Sequence, residues 1–92
     1  MTDLTPRQRE ILSALRQTSM LRDIVRVQQC TDDAAFLALR IYDDIGLDSL
    51  EVVALGMEIE ELFGIEDGIP DAQIGELKTI GDVVALVERM AP

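Results

Sequence analysis

The chain has 92 residues, 48% of them apolar, a formal net charge of −10, one cysteine and no histidine. That length points to one domain over 1–92 with a modest core, since a chain of this size hides only about 60–65% of its unfolded surface. The charge argues against nucleic acid and against anionic membrane surfaces as partners, and Cys30 has no partner for an internal disulfide.

The lone cysteine is either a satisfied small hydrophobe, the favoured reading, or a surface thiol, and such cysteine usage suits a reducing cytoplasm. The opening MTDLTPRQRE has no apolar run behind its arginines, and no stretch of 18 apolar residues occurs, which reads against a secretory signal and a membrane span. A cytoplasmic monomer is the expectation. The charge is also segregated. Residues 1–42 hold six arginines against five acids, whereas residues 43–76 hold eleven acids and no Lys or Arg. Such a half-molecule reads as a face for a basic partner.

Thr5, Pro6 and Gln8 spell a helix start, with Thr as cap, Pro in the first turn and Gln placed to reach back. Ile11, Leu12 and Leu15 continue at helical spacing, and Met20, Leu21, Ile24 and Val25 resume it after the polar Gln17, Thr18 and Ser19. One helix over 6–27, or a helix broken near 18, both satisfy this pattern. Residues 28–44 form a connection with its own apolar content, in which Thr31, Asp32 and Asp33 could cap a short helix.

The next element is the clearest. Gly46 permits a tight turn, Asp48 can cap, and Glu51 follows three residues later to complete a capping box. From Ser49 to Phe63 the period is helical, and Val52, Leu55, Gly56, Ile59, Leu62 and Phe63 gather on an arc of about 120° that should face the core. Gly56 costs about 1 kcal/mol against alanine, which a close helix approach would offset. Leu50, Val53 and Met57 form a second apolar group outside that arc, interleaved with Glu60 and Glu61. Gly64 to Pro70 read as a loop, Asp71 as the cap of a short helix over 72–77, and Thr79 with Asp82 as the start of a last helix. No run alternates every second residue. The expected fold is all-α, with three main helices and a short one before the last.

Most catalytic chemistries are excluded. A serine nucleophile needs a base, usually histidine, and none exists; LDSLE is also not the G-x-S-x-G motif. One cysteine cannot build a zinc site, and Asp43, Asp44 and Asp48 around Gly46 do not match a calcium loop, so no metal site is expected. Ser49 nevertheless stands at a helix start, beside unsatisfied amides and the positive end of the macrodipole, where an attached anion is favoured. It is therefore either an acceptor modified by another enzyme or only a second capping residue beside Asp48.

The segment DDIGLDSL followed by EVVALGMEIEELFGI resembles the acyl carrier protein family, over about residues 41–90. The resemblance implies a non-catalytic, stand-alone carrier with an acyl-carrier-like bundle. It places 4′-phosphopantetheine covalently on Ser49, with acyl intermediates held as thioesters on the arm. It also implies partners, namely a phosphopantetheinyl transferase and basic-faced acyl-transferring or synthase enzymes of fatty acid or polyketide biosynthesis. Met57, Glu60 and Glu61 fall where such partners meet the family's second helix, Asp48 and Leu50 match the residues flanking the family's serine, Asp44, Asp48, Leu50 and Glu51 are expected as further partner contacts, and Ile69, Pro70 and Asp71 match the later I-P-D. Gly56 would leave room for part of an acyl chain between the second and third helices. Ala54 stands where an acid is frequent and Glu58 where alanine is, which shifts the acidic face. A peptidyl or aminoacyl carrier, or an unmodified acidic helical module, are the competing readings.

Overall fold

A computed structural model of the chain describes residues 4–91. Helix α1 (Pro6–Arg16) starts in the capping box expected of Thr5 and Gln8. It stops at Arg16 rather than running on to 27. The cause lies in Thr18, which is buried and donates its hydroxyl to the Leu15 carbonyl at 2.7 Å, an interaction that competes with helix continuation. The chain then turns through residues 17–23 and drops Leu21 fully into the core.

Two short helices follow, α2 (Val25–Gln29) and α3 (Asp33–Ala38), the second capped by Asp32 as its sequence suggests. The guanidinium of Arg16 ties this connection to the end of α1. It donates to the Cys30 carbonyl at 2.6 Å, pairs with Asp33 at 3.5 Å and lies 4.1 Å over the Phe36 ring. Phe36 in turn is completely buried, so a segment without strong periodicity is held by one aromatic anchor and one cation.

A single π-helical turn over Ile41–Ile45 leads to the longest helix, α4 (Ser49–Phe63). Beyond it come α5 (Asp71–Gly75) and α6 (Ile80–Met90). Among the described residues there is no strand, only one isolated bridge between Arg40 and Thr79. That bridge matters for position. Ile41 donates to the Lys78 carbonyl at 2.8 Å and Ile80 to the Leu39 carbonyl at 3.0 Å, so the approach to α4 is clipped to the start of α6. The expected all-α bundle is what the chain forms, with α1, α4 and α6 as its main helices around one apolar cluster.

The π-turn is held by Asp44. Its Oδ2 accepts the Arg40 amide at 2.8 Å and the Arg40 Nε at 3.3 Å, while Arg26 stands 3.9 Å from Oδ1. Those backbone and side-chain hydrogen bonds from Arg40 keep the Asp44 carboxyl below the usual carboxylate range. The turn closes at Gly46, whose φ of 86° is left-handed and open to glycine at little cost.

Three expectations need correction. Leu62 does not join the core: it is 50% exposed, and it stands about 70° from the centre of the arc defined by Val52, Leu55, Gly56 and Ile59, at its edge. Asp71 does not cap α5. Pro70 occupies the cap position with extended backbone and Asp71 is the first helical residue, so this helix begins and ends earlier than 72–77. The space expected beside Gly56 is filled, because a Cβ there would lie 3.1 Å from Cδ1 of Ile74 on α5.

Two outcomes follow from these contacts. Gly56→Ala gains about 1 kcal/mol of helix propensity but meets Cδ1 of Ile74. Ile74→Val removes that methyl, so a double-mutant cycle by urea denaturation should show Gly56→Ala more favourable in the valine background by about 0.5–1 kcal/mol; strict additivity would mean that Ile74 does not fill the gap. For Asp44, a folded pKa below the ordinary 3.8 makes its contribution present at and above that value and lost as pH falls through the folded pKa. Asp44→Asn should therefore lower stability by a constant amount at neutral and mildly acidic pH, with the difference shrinking only below about pH 4. A difference that already vanishes between about pH 6 and 5, or that grows in acid, would contradict the assignment.

Candidate functional site

The amino end of α4 is built by reciprocal hydrogen bonds. Asp48, in extended backbone, accepts the Glu51 amide at 2.8 Å, and Glu51 returns the bond by accepting the Asp48 amide at 3.0 Å. Upstream, Ile45 and Leu47 are buried and lock the turn to the core. Ser49 is then the first helical residue, and it is exposed. Asp48 and Glu51 complete the capping box between them, so Ser49 is not a second cap: among the described residues its side chain has no hydrogen bond. The hydroxyl faces solvent at the positive end of a 15-residue helix.

Leu50, Val53 and Met57 follow on one outward stripe at three- and four-residue spacing, with Leu50 79% exposed. Their exposure agrees with the second apolar group seen in the sequence. The acids around them divide into two kinds. Asp44, Asp48, Glu51 and Glu60 each give a carboxylate oxygen to a backbone amide of their own chain, Glu60 to that of Ile69 at 2.7 Å. Glu61 has no such tie among the described residues and is exposed. The structure thus brings Ser49, Asp48, Leu50 and Glu51 together at one helix end. Met57, Glu60 and Glu61 stand two to three turns away along the same helix, and Asp44 is turned toward Arg26 and Arg40.

One interaction here was not legible beforehand. Glu58 accepts the Ser19 amide at 2.7 Å and the Ser19 hydroxyl at 2.6 Å, binding the 17–23 turn to α4. The only sequence signal was an acid at an unusual place in the helix. Among the described residues no group of His, Cys, Asp or Glu could hold a metal ion. Nor does any helix among them have the length and apolarity to cross a membrane.

A family model described as "Phosphopantetheine attachment site" matches residues 18–87, which reaches well upstream of the motif at 41. Curated relatives agree. An acyl carrier protein of Campylobacter hominis is 44% identical over 71 residues, covering 76% of this chain and 87% of the relative. An acyl carrier protein of Helicobacter acinonychis is 43% identical over 74 residues, covering 76% of this chain and 92% of the relative. With a family match over three quarters of its length and relatives that align over most of theirs, the chain belongs to the acyl carrier protein family, whose members are phosphopantetheine-bearing carriers and not catalysts.

Proposed function

We propose that Ser49 Oγ is the attachment point of the 4′-phosphopantetheine arm. The observation that carries this reading is an exposed hydroxyl, free of hydrogen bonds within the described residues, directly after a cap that needs only Asp48 and Glu51. The residues fit the group. The first amides of α4 and the helix dipole favour a phosphodiester there, and the two neighbouring carboxylates are occupied by backbone donors. When bound, the arm supplies a terminal thiol that holds an acyl group as a thioester.

The sequence has no histidine and no group among the described residues is hydrogen-bonded to the hydroxyl to activate it, so in this reading the chemistry belongs to a transferase. In that step Oγ bonds to phosphorus, the pyrophosphate linkage of coenzyme A breaks, the adenosine bisphosphate half leaves, and the hydroxyl proton passes to the transferase or to water. The carrier's own part is to present Oγ and to be recognised. Leu50 offers an apolar contact beside the reacting oxygen, and the surrounding acids steer partners with basic surfaces. Pairs of this kind speed encounter more than they prolong it, which suits a protein that visits a transferase and then successive acyl-transferring enzymes.

Incubation with coenzyme A and a broad-specificity phosphopantetheinyl transferase should add one phosphopantetheine mass to the wild type and nothing to Ser49→Ala. Because Oγ has no hydrogen-bond partner among the described residues, Ser49→Ala should stay within about 0.5 kcal/mol of wild-type stability, whereas Asp48→Ala should lose about 1 kcal/mol with its cap. An unmodified wild type, or a loaded Ser49→Ala variant, would refute the attachment point.

A further inference from the structure

Away from α4, the short helices α2 and α3 and the π-turn enclose an open groove of about 540 Å³. Its direction follows from one side chain. Arg26 stands on α2 about one turn before Cys30, and its guanidinium comes within 3.9 Å of the Asp44 carboxylate. The groove therefore runs from the link after α2, where the half-buried Cys30 lies, to the π-turn that leads into Ser49. From α3, Ala35 and Ala38 line it three residues apart with nothing longer than a methyl group, which keeps it open.

Its polar groups are of two kinds. The charged ones are partnered: Asp44 meets Arg26 and Arg40, and Asp32 accepts the Ala35 amide at 3.3 Å. The neutral ones are not. The Gln29 carboxamide and the Thr31 hydroxyl line the groove and have no hydrogen bond among the described residues. Each can both donate and accept. A basic peptide would find no unpaired carboxylate here, and a purely apolar ligand would cover Gln29 and Thr31 without giving them partners. The ligand that answers this lining is neutral, slender and carries amide groups.

We propose that this groove is a resting site for the protein's own arm, which lays its two amides against Gln29 and Thr31 and points its sulfur end toward Cys30. The site deepens the carrier reading and rests on attachment at Ser49. Reach allows it. From Oγ to the sulfur the arm is about 14 bonds, or about 16 Å at the three-bonds-per-residue rise of extended chain. Asp44 stands five residues before Ser49, a span of about 17 Å if extended, but Gly46 and Leu47 both donate to the Ile41 carbonyl at 3.1 Å and fold that stretch back. The phosphodiester stays with the amides at the start of α4, and only the uncharged half enters the groove. An arm held there keeps its thioester against the protein surface between visits, and a partner has to draw it out. Cys30 marks the groove's end and takes no part in the chemistry.

The test compares the full chain before and after loading from acetyl-coenzyme A by a phosphopantetheinyl transferase, with loading confirmed by intact mass. The acetylated arm has no free thiol, so Cys30 is the one group that N-ethylmaleimide labels. Amide chemical shifts should change on loading not only beside Ser49 but also at Gln29, Thr31, Ala35 and Leu39. Cys30 labelling should slow about fivefold, the size that one net hydrogen bond gives. Each variant is compared with its own unloaded form. Ala35→Leu, which fills the groove from an exposed position, should abolish the protection, as should Gln29→Ala combined with Thr31→Ala, which adds no bulk. Ala85→Leu, an equal enlargement at an exposed site of α6 outside the groove, should leave it intact. Shifts confined to residues 47–52 or centred on Gly56 and Ile74, Cys30 labelling at the unloaded rate, or protection that survives both groove variants would each overturn the resting site while the loaded mass leaves the carrier reading standing. A wild type that gains no mass refutes the carrier reading, and the resting site falls with it.

Discussion

The exchange of hydrogen bonds between Asp48 and Glu51 decides where α4 begins, and the rest of the surface follows from that starting residue. A helix advances about 100° per residue, so moving its start changes how each side chain is presented. With the cap at Asp48, Ser49 faces solvent at the first turn. Val52, Leu55 and Ile59 then fall on the core, and Leu50, Val53 and Met57 fall outside it. The turn before the cap is fixed just as firmly, by the left-handed Gly46, by buried Ile45 and Leu47, and by Asp44 holding the Arg40 amide. The hydroxyl is presented by this well-anchored support although, among the described residues, it makes no hydrogen bond of its own.

The acidity of residues 43–76 takes on a different meaning once the partners are known. Crowded carboxylates repel one another and should weaken a small fold. Several of them, however, are spent on backbone amides: Asp44 at the π-turn, Asp48 and Glu51 at the cap, Glu58 at the 17–23 turn and Glu60 at the 64–70 loop. These bonds convert part of the charge into loop geometry, since a carboxylate accepting N–H donors is stabilised in its charged form. Glu61, which has no such tie among the described residues, is exposed. The same segment therefore builds the loops around α4 and, in the proposed reading, supplies the field that steers partners.

Capping signals were the most legible part of the sequence. Thr5 with Gln8, Asp48 with Glu51, and Thr79 with Asp82 all form the boxes their spacing implies, because a cap is a local interaction between residues three apart. The core arc of α4 was legible for the same reason, except at Leu62, where an edge position is decided by what packs opposite and not by spacing. The connection over 17–44 was not legible. Its conformation depends on a buried Thr18 hydroxyl, on Arg16 meeting Phe36 and on Glu58 meeting Ser19, and the last of these joins residues 39 apart. Ile74 filling the gap at Gly56 is likewise a tertiary fact. The serine itself stood out in the sequence, but its freedom from the cap required coordinates.

The central claim is that Ser49 Oγ bears the arm in the living cell. Peptide-level mass spectrometry of the protein isolated from its native cells addresses this directly, by locating any phosphopantetheine to a single residue. The account predicts the group on Ser49 in a substantial fraction of the molecules. A serine recovered bare throughout, from cells whose transferases load other carriers, would contradict it.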